Sequence, residues 1–162
     1  MISAVHANMG TCYICHKLID IDNAARHLKN CSQTATDVES ERVFLLKVAT
    51  ENHFWLFVRA NGDATLQNLY MFLRSNWYEC CGHMAEFYIG AQACDETDMK
   101  KTVQEMLGLG KTFHYEHNSG VAVRVMGEVL EVSAGKILNK EMQLVLKKNI
   151  LEERCESCEK VQ

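Results

Sequence analysis

The chain has 162 residues, 48% of them hydrophobic, so it can bury the core of one ordinary domain and carry a small module beside it. Its net charge of −4 excludes a protein-wide positive field, so any binding of nucleic acid would have to be local. No run of about 18 apolar residues is present, and residues 1–12 lack the basic flank and apolar stretch of a signal peptide. We therefore expect a cytoplasmic protein without membrane contact.

The first cysteines have metal-ligand spacing. Cys12 and Cys15 form a C-x2-C turn, His27 and Cys31 stand four residues apart, and 11 residues separate the two pairs. On a helix, residues four apart project from the same face, and that helix is expected to begin just before Ala24. Its cap would come from one of three side chains, Asp20, Asp22 or Asn23. Residues 1–32 are thus predicted to be a hairpin–helix zinc finger with three thiolates and one imidazole.

A polar stretch over 33–41 is interpreted as a linker, and residues 42–162 as a second domain. Two runs between Arg42 and Ala60 predict an antiparallel hairpin, because the first alternates around Phe44, Leu46 and Val48 and the second around Phe54, Leu56 and Val58. Apolar residues at helical spacing then predict a core-facing helix at residues 66–77. The predicted class is α+β, a β-grasp-like sheet with packed helices and one covered face.

The second half of this domain continues the same alternation. A helix capped by Thr97 is predicted over 97–107, and a second hairpin turns at residues 118–120. His114 and His117 precede that turn and are interpreted as surface residues. Residues 140–149 fit a strand or a short helix, with the strand preferred, and Cys94 is interpreted as a packing residue.

From about Val43 to Cys158 the chain resembles the plasmid pRiA4b ORF-3-like family, also described as passenger proteins of insertion elements. The resemblance is carried, in order, by the segments FWLFVRANGDATLQNLYMFL, SNWYECCGHMAEFYIG, GKTFHYEHNSG and LKKNILEERCESC. It implies a β-grasp-like α+β domain, a mobile-element association and no established enzymatic activity. The finger, through its spacing and the segment RHLKNC, resembles the ubiquitin-binding zinc fingers of DNA-repair proteins, which implies a protein-binding helix. Lys29 stands where that family commonly has an acidic residue, so ubiquitin itself is not the expected partner.

The remaining cysteines raise the question of a second metal ion. Cys155 and Cys158 form another C-x2-C pair, which needs further ligands, and the crowded segment with Cys80, Cys81 and His83 can supply them. The alternatives are a site shared between two chains, a site that joins Cys12 and Cys15 to the tail pair, or no second metal. In the last case, Cys80, Cys81 and His83 would be packing residues.

Three functions follow from these features. The first is a non-enzymatic zinc protein whose finger and sheet surface bind another macromolecule, with a protein as the preferred partner. The second is local nucleic-acid binding, in which Lys17, Arg26 and Lys29 contact phosphate. The third is a hydrolase with an open zinc at Cys80, Cys81 and His83 and with Glu79 or Glu86 as the base. The absence of a phosphate loop, G-x-S-x-G or HExxH motif favours the first function.

Overall fold

A computed structural model of the protein describes residues 8–31, 41–50, 54–76, 86–118, 122–138 and 140–148. Nearly half of these residues form one antiparallel sheet, and a few helices pack on it, so the fold is of the α+β class. The strands are β1 (Met9–Cys12), β2 (Leu18–Asp20), β3 (Arg42–Thr50), β4 (Trp55–Asn61), β5 (Phe87–Ile89), β6 (Gln92–Ala93), β7 (Thr112–Asn118), β8 (Ala122–Ala134) and β9 (Met142–Lys148). The helices are α1 (Ile21–Asn30), α2 (Leu66–Asn76), α3 (Glu96–Met99) and α4 (Val103–Met106).

The strand order is β2-β1-β9-β4-β3-β8-β7-β5-β6, and every neighbouring pair is antiparallel. The cysteine-rich hairpin β1–β2 belongs to this sheet, because Gly10 pairs with Lys148 and Cys12 with Leu146 of β9. A Cβ atom at Gly10 would lie 2.5 Å from the carbonyl oxygen of Lys147 and from the ring of Trp55, so the close approach of β1 needs a residue without a side chain. The interpreted linker at 33–41 lies almost entirely outside the described residues.

The two predicted hairpins and the predicted α2 helix are present. Strands β3 and β4 pair from Val43 with Asn61 to Ala49 with Trp55, and β7 pairs with β8 across the second hairpin. Thr65 begins α2, since its Oγ1 accepts a hydrogen bond from the Asn68 N–H at 3.1 Å. The segment at the end of the domain is a strand, β9, which agrees with the preferred interpretation.

The predicted helix over 97–107 is wrong, because this segment contains two short helices. Asp95 caps α3 and Thr102 caps α4, and each forms a reciprocal capping box with the residue three positions later, Asp98 or Glu105. A capping box holds the start of a helix in an extended conformation at the cap residue. Thr102 therefore interrupts the helical run that the apolar spacing had indicated.

The prediction of one covered face is also wrong for the central strands. On one face, Leu46 and Leu56 pack against Leu69 and Leu73 of α2, as the alternation indicated. On the opposite face, a second cluster brings side chains of β3 and β4 together with α1, and its fully or nearly buried members include Ala24, Leu28, Leu45, Trp55 and Phe57. Every residue of β4 is consequently buried. None of the helices in the described ranges has the length and apolar character to span a bilayer.

Candidate metal centre

Four side chains converge where β1, its turn and α1 meet. Cys12 ends β1, Cys15 lies in the following turn, and His27 and Cys31 lie at the carboxyl end of α1. Their ligand atoms all lie within 4.8 Å of one another. The structure thus brings together the four residues that the spacing had predicted, and among the described residues they form a group able to hold a metal ion.

The distances between these atoms suit tetrahedral zinc. The Sγ atoms of Cys12 and Cys31 are 3.9 Å apart, and the Sγ of Cys15 is 3.4 Å from Nε2 of His27. Zinc bonds of about 2.3 Å to sulfur and about 2.0–2.1 Å to nitrogen, at tetrahedral angles, place two sulfurs about 3.8 Å apart and a sulfur and a nitrogen about 3.6 Å apart. A soft set of three thiolates and one imidazole is also the donor chemistry that zinc prefers in structural sites.

The turn between the two cysteines is held by backbone hydrogen bonds. The N–H of Cys12 donates to the carbonyl of Lys17 at 3.0 Å, and the N–H of His16 donates to the carbonyl of Cys12 at 2.8 Å. His16 adopts a φ of 64°, a conformation that few side chains favour, which shows that the turn is tight. The N–H of Ile14 points at the Cys12 sulfur, 3.4 Å away, and such a bond stabilises a thiolate.

The helical repeat of α1 places its two candidate ligands on the same side of the helix. Asp20 caps it, because its carboxylate accepts a hydrogen bond from the Asp22 N–H at 2.8 Å. Ala24 and Leu28 of this helix are fully buried against the sheet, which fixes the rotation of the helix. His27 and Cys31 then face the C-x2-C turn from successive turns of the same helix.

The electrostatic surroundings differ among the candidate ligands. The backbone hydrogen bond at Lys17 is the main cause that lowers the pKa of Cys15, whereas burial raises the pKa of Cys31 to about 11. Burial, followed by the charges of Lys17 and Arg59, lowers the pKa of His27. The imidazole is therefore held in its neutral form at neutral pH, which is the form that binds a metal.

An open cleft of about 680 Å³ borders the cluster between β2 and α1. Lys17 and Arg26 line this cleft, together with Leu18, which is 54% exposed. Within the described part of the chain, neither cation forms an ion pair. Lys29, the third cation predicted to contact phosphate, is exposed on α1 but does not line the cleft.

Most of the other predicted site residues lie in segments that the structure does not describe. Cys80, Cys81, His83, Cys155 and Cys158 lie outside the described residues, as does Glu79. Glu86 is exposed and accepts a hydrogen bond from the hydroxyl of Tyr88. His114 stacks on the Tyr88 ring at 4.8 Å, the side chain of His117 is not described, and Cys94 packs at the edge of the core.

Sequence reasoning missed one charged residue close to the site. Arg59 of β4 is only 6% exposed, and its Nη2 donates a hydrogen bond of 2.5 Å to the carbonyl of Leu28, between His27 and Cys31 on α1. The signal in the sequence was a single cation in the apolar run HFWLFVRA, in register with Trp55 and Phe57. With only one face of β4 expected to be covered, this cation was consistent with an exposed position. Its burial follows from the cluster on the second face.

Comparisons with known proteins give no family for this chain. No family model matches it, and no curated protein matches it. It is similar to a solved structure titled as a protein of unknown function, MM3350, from Methanosarcina mazei Go1. The two share 12% identity with a TM-score of 0.48, over 65% of this chain and 67% of that chain.

Proposed function

We propose that the chain is a non-enzymatic zinc-binding interaction protein in which Cys12, Cys15, His27 and Cys31 bind one Zn²⁺. The observation that carries this proposal is the convergence of four ligand atoms within 4.8 Å, at distances that suit a tetrahedral ion. These residues come from a strand, a turn and a helix, so a shared ion would cross-link all three. We infer a structural role, because a site with four protein ligands leaves no position for substrate or water.

We also propose that this centre is a C2HC finger attached to a β-grasp-like domain of the pRiA4b ORF-3-like kind. The hairpin β3–β4 followed by the packed helix α2 supports the β-grasp-like interpretation. The order of hairpin β1–β2 and helix α1 around the ligands supports the finger. We propose the mobile-element association as well, because the same resemblance implies it.

The partner that we propose is a protein bound at the cleft beside the metal centre. Exposed Leu18 offers apolar area, and Lys17 and Arg26 offer two positive charges that no described acidic group pairs with. The same cations are the observation that favours nucleic acid as the alternative partner. Salt separates the two, because contacts to phosphate weaken steeply as salt rises whereas apolar contacts do not. Duplex DNA that fails to bind at low salt, or binds equally to a Lys17→Ala/Arg26→Ala variant, removes the alternative.

The zinc site is tested by elemental analysis of the purified protein beside two single variants. Cys31→Ser removes a proposed ligand, and Cys94→Ser is the matched control, since Cys94 is also a free, half-buried thiol but lies outside the cluster. We expect Cys31→Ser to lose one equivalent of zinc and Cys94→Ser to lose none. A Cys31→Ser protein that keeps all its metal overturns the proposal, and zinc that remains in Cys31→Ser after one equivalent is lost identifies a second site elsewhere.

A further inference from the structure

Arg59 is a buried cation on the face of the sheet that carries the metal centre. It stands in β4, a strand in which it is the only charged residue and every position is buried. Its side chain lies on the same face of β4 as those of Trp55 and Phe57, which belong to the cluster that contains Cys12 and Leu28. Removing a guanidinium from water is costly unless an opposite charge lies nearby, so Arg59 needs a counter-charge.

Among the described residues, hydrogen bonds and carboxylates do not fully compensate the buried guanidinium. Nη2 donates to the carbonyl of Leu28, but Nη1 is buried without a hydrogen-bond partner among the described residues. No described carboxylate forms an ion pair with it. Burial lowers the pKa of Arg59, and the charge of Glu131, followed by smaller effects of Cys31 and Cys12, opposes this change. Glu131 lies two strands away, with Leu45 between them in the register of the sheet.

The proposed metal-loaded centre would supply a negative charge near Arg59. A divalent ion with three thiolates and a neutral imidazole carries a net charge of −1. We propose that Arg59 is the counter-ion of the loaded metal centre, where its charge offsets that of the centre through the turn of α1 that holds His27 and Cys31. This inference rests on the proposed zinc site and gives it a residue outside the four ligands.

The inference makes metal-free and metal-loaded protein respond differently to loss of the charge. In the loaded protein, Arg59 faces an anionic centre and stabilises it. In the metal-free protein the charge of the loaded centre is absent, and the same guanidinium is buried with Nη1 lacking a hydrogen-bond partner among the described residues. Loss of the charge should therefore weaken metal binding without weakening the metal-free fold, whereas a purely structural role would destabilise both states equally.

The test compares Arg59→Lys with Arg59→Gln, because both side chains can donate to the Leu28 carbonyl and only lysine keeps the charge. Affinity for Co²⁺ and Zn²⁺ is measured by competition with a chromophoric chelator, and the Co²⁺ absorption bands report whether the ligand set is intact. We expect Arg59→Gln to bind about 10- to 100-fold more weakly than the parent, as for other residues that support metal ligands. Arg59→Lys should keep most of the affinity, and metal-free Arg59→Gln should be no less stable than the parent.

Glu131→Gln is the matched control, because it removes the carboxylate that competes for the same cation. We expect its metal affinity to be undiminished. Equal metal affinities of Arg59→Gln and Arg59→Lys would overturn the counter-ion role of Arg59. An Arg59→Gln protein that loses as much stability without metal as with metal would also overturn it. A parent protein that takes up no Co²⁺ overturns the zinc site itself, so the two failures are distinguishable.

Discussion

The indole Nε1 of Trp55 donates a hydrogen bond of 2.8 Å to Oδ1 of Asn8, a residue 47 positions earlier in the chain. Trp55 is 3% exposed, and its ring meets that of Phe57 edge-on at 5.7 Å. The contact joins the start of the cysteine-rich hairpin to the central strand β4. Docking of the cysteine-rich hairpin and burial of this ring are therefore physically linked.

Trp55 should report the loss of metal. The chain has two tryptophans, so in a Trp77→Phe variant all indole emission comes from Trp55. Chelation should loosen the hairpin and expose the ring, because the proposed ion holds β1 and α1 together. We expect a red shift of the emission and faster quenching by acrylamide. The variant that also carries Cys31→Ser should already show the shifted spectrum, and a spectrum that does not change on complete metal removal would contradict this link.

The two half-buried thiols of the centre should differ in reactivity once the metal is removed. The pKa of Cys15 is lowered, chiefly by its backbone hydrogen bond at Lys17, so more of it is thiolate at neutral pH; the pKa of Cys31 is about 11, so it stays protonated. Labelling with iodoacetamide, followed by mass spectrometry, should modify Cys15 before Cys31. Cys94, whose pKa is raised mainly by burial, is the slow reference. Faster labelling of Cys31 than of Cys15 would refute this order, and bound metal should protect both.

Gly127→Ala should destabilise the fold. Gly127 pairs with Phe113 across β7 and β8, and a Cβ atom there would overlap the buried Phe113 ring, which itself stacks on Phe87 at 5.3 Å. Relieving such overpacking costs about 1–3 kcal/mol. The free energy of unfolding from urea titration measures this loss. Gly108→Ala is the matched control, since a Cβ there meets no atom within 4 Å, and we expect it to be nearly neutral.

Asn61→Asp should make stability depend on pH. The Asn61 amide is buried; its Nδ2 donates to the carbonyls of Ile137 and Lys140, and its Oδ1 accepts from the Ile137 N–H. A carboxylate would face two carbonyl oxygens, so the folded state should raise its pKa above the unfolded value of about 4.

A raised pKa in the folded state fixes the sign of this dependence. The variant should lose stability, relative to the parent, as pH rises from the unfolded pKa through the folded one. Denaturant midpoints between pH 3 and 8 test this, with Asn61→Ala as the control that cannot ionise. A constant difference between Asn61→Asp and the parent over that range would show that the carboxyl is not held in a proton-favouring site.

The sequence predicted the features that depend on local pattern. The spacing of Cys12, Cys15, His27 and Cys31 needs only one turn and one helix to bring the ligands together, and alternation placed Leu46 and Leu56 on the face under α2. The burial of Phe57 and Arg59 could not be read in this way. It depends on the docking of α1, a helix about 30 residues earlier, which no periodicity within β4 reports.

A capping interaction explains why one periodic pattern gave a wrong prediction. The apolar residues at 99, 103, 106 and 107 fit a single helix, but the side chain of Thr102 accepts from the Glu105 N–H and starts a new one. Capping bonds of this kind are worth about 1 kcal/mol, which is enough to divide a helix of marginal length. The resemblance to pRiA4b ORF-3-like proteins remains a prediction, since no family model matches the chain.

The pairing of β1 with β9 places an early strand beside a late one. All four candidate ligands precede residue 32, whereas the strand on which their hairpin docks ends at Lys148, more than 100 residues later. At ribosomal speeds, the gap is on the order of 10 s. If the proposed ion binds, the thiols can capture it on the nascent chain before the sheet exists, so the supply of metal during synthesis would decide whether β9 pairs with an ordered or a disordered hairpin.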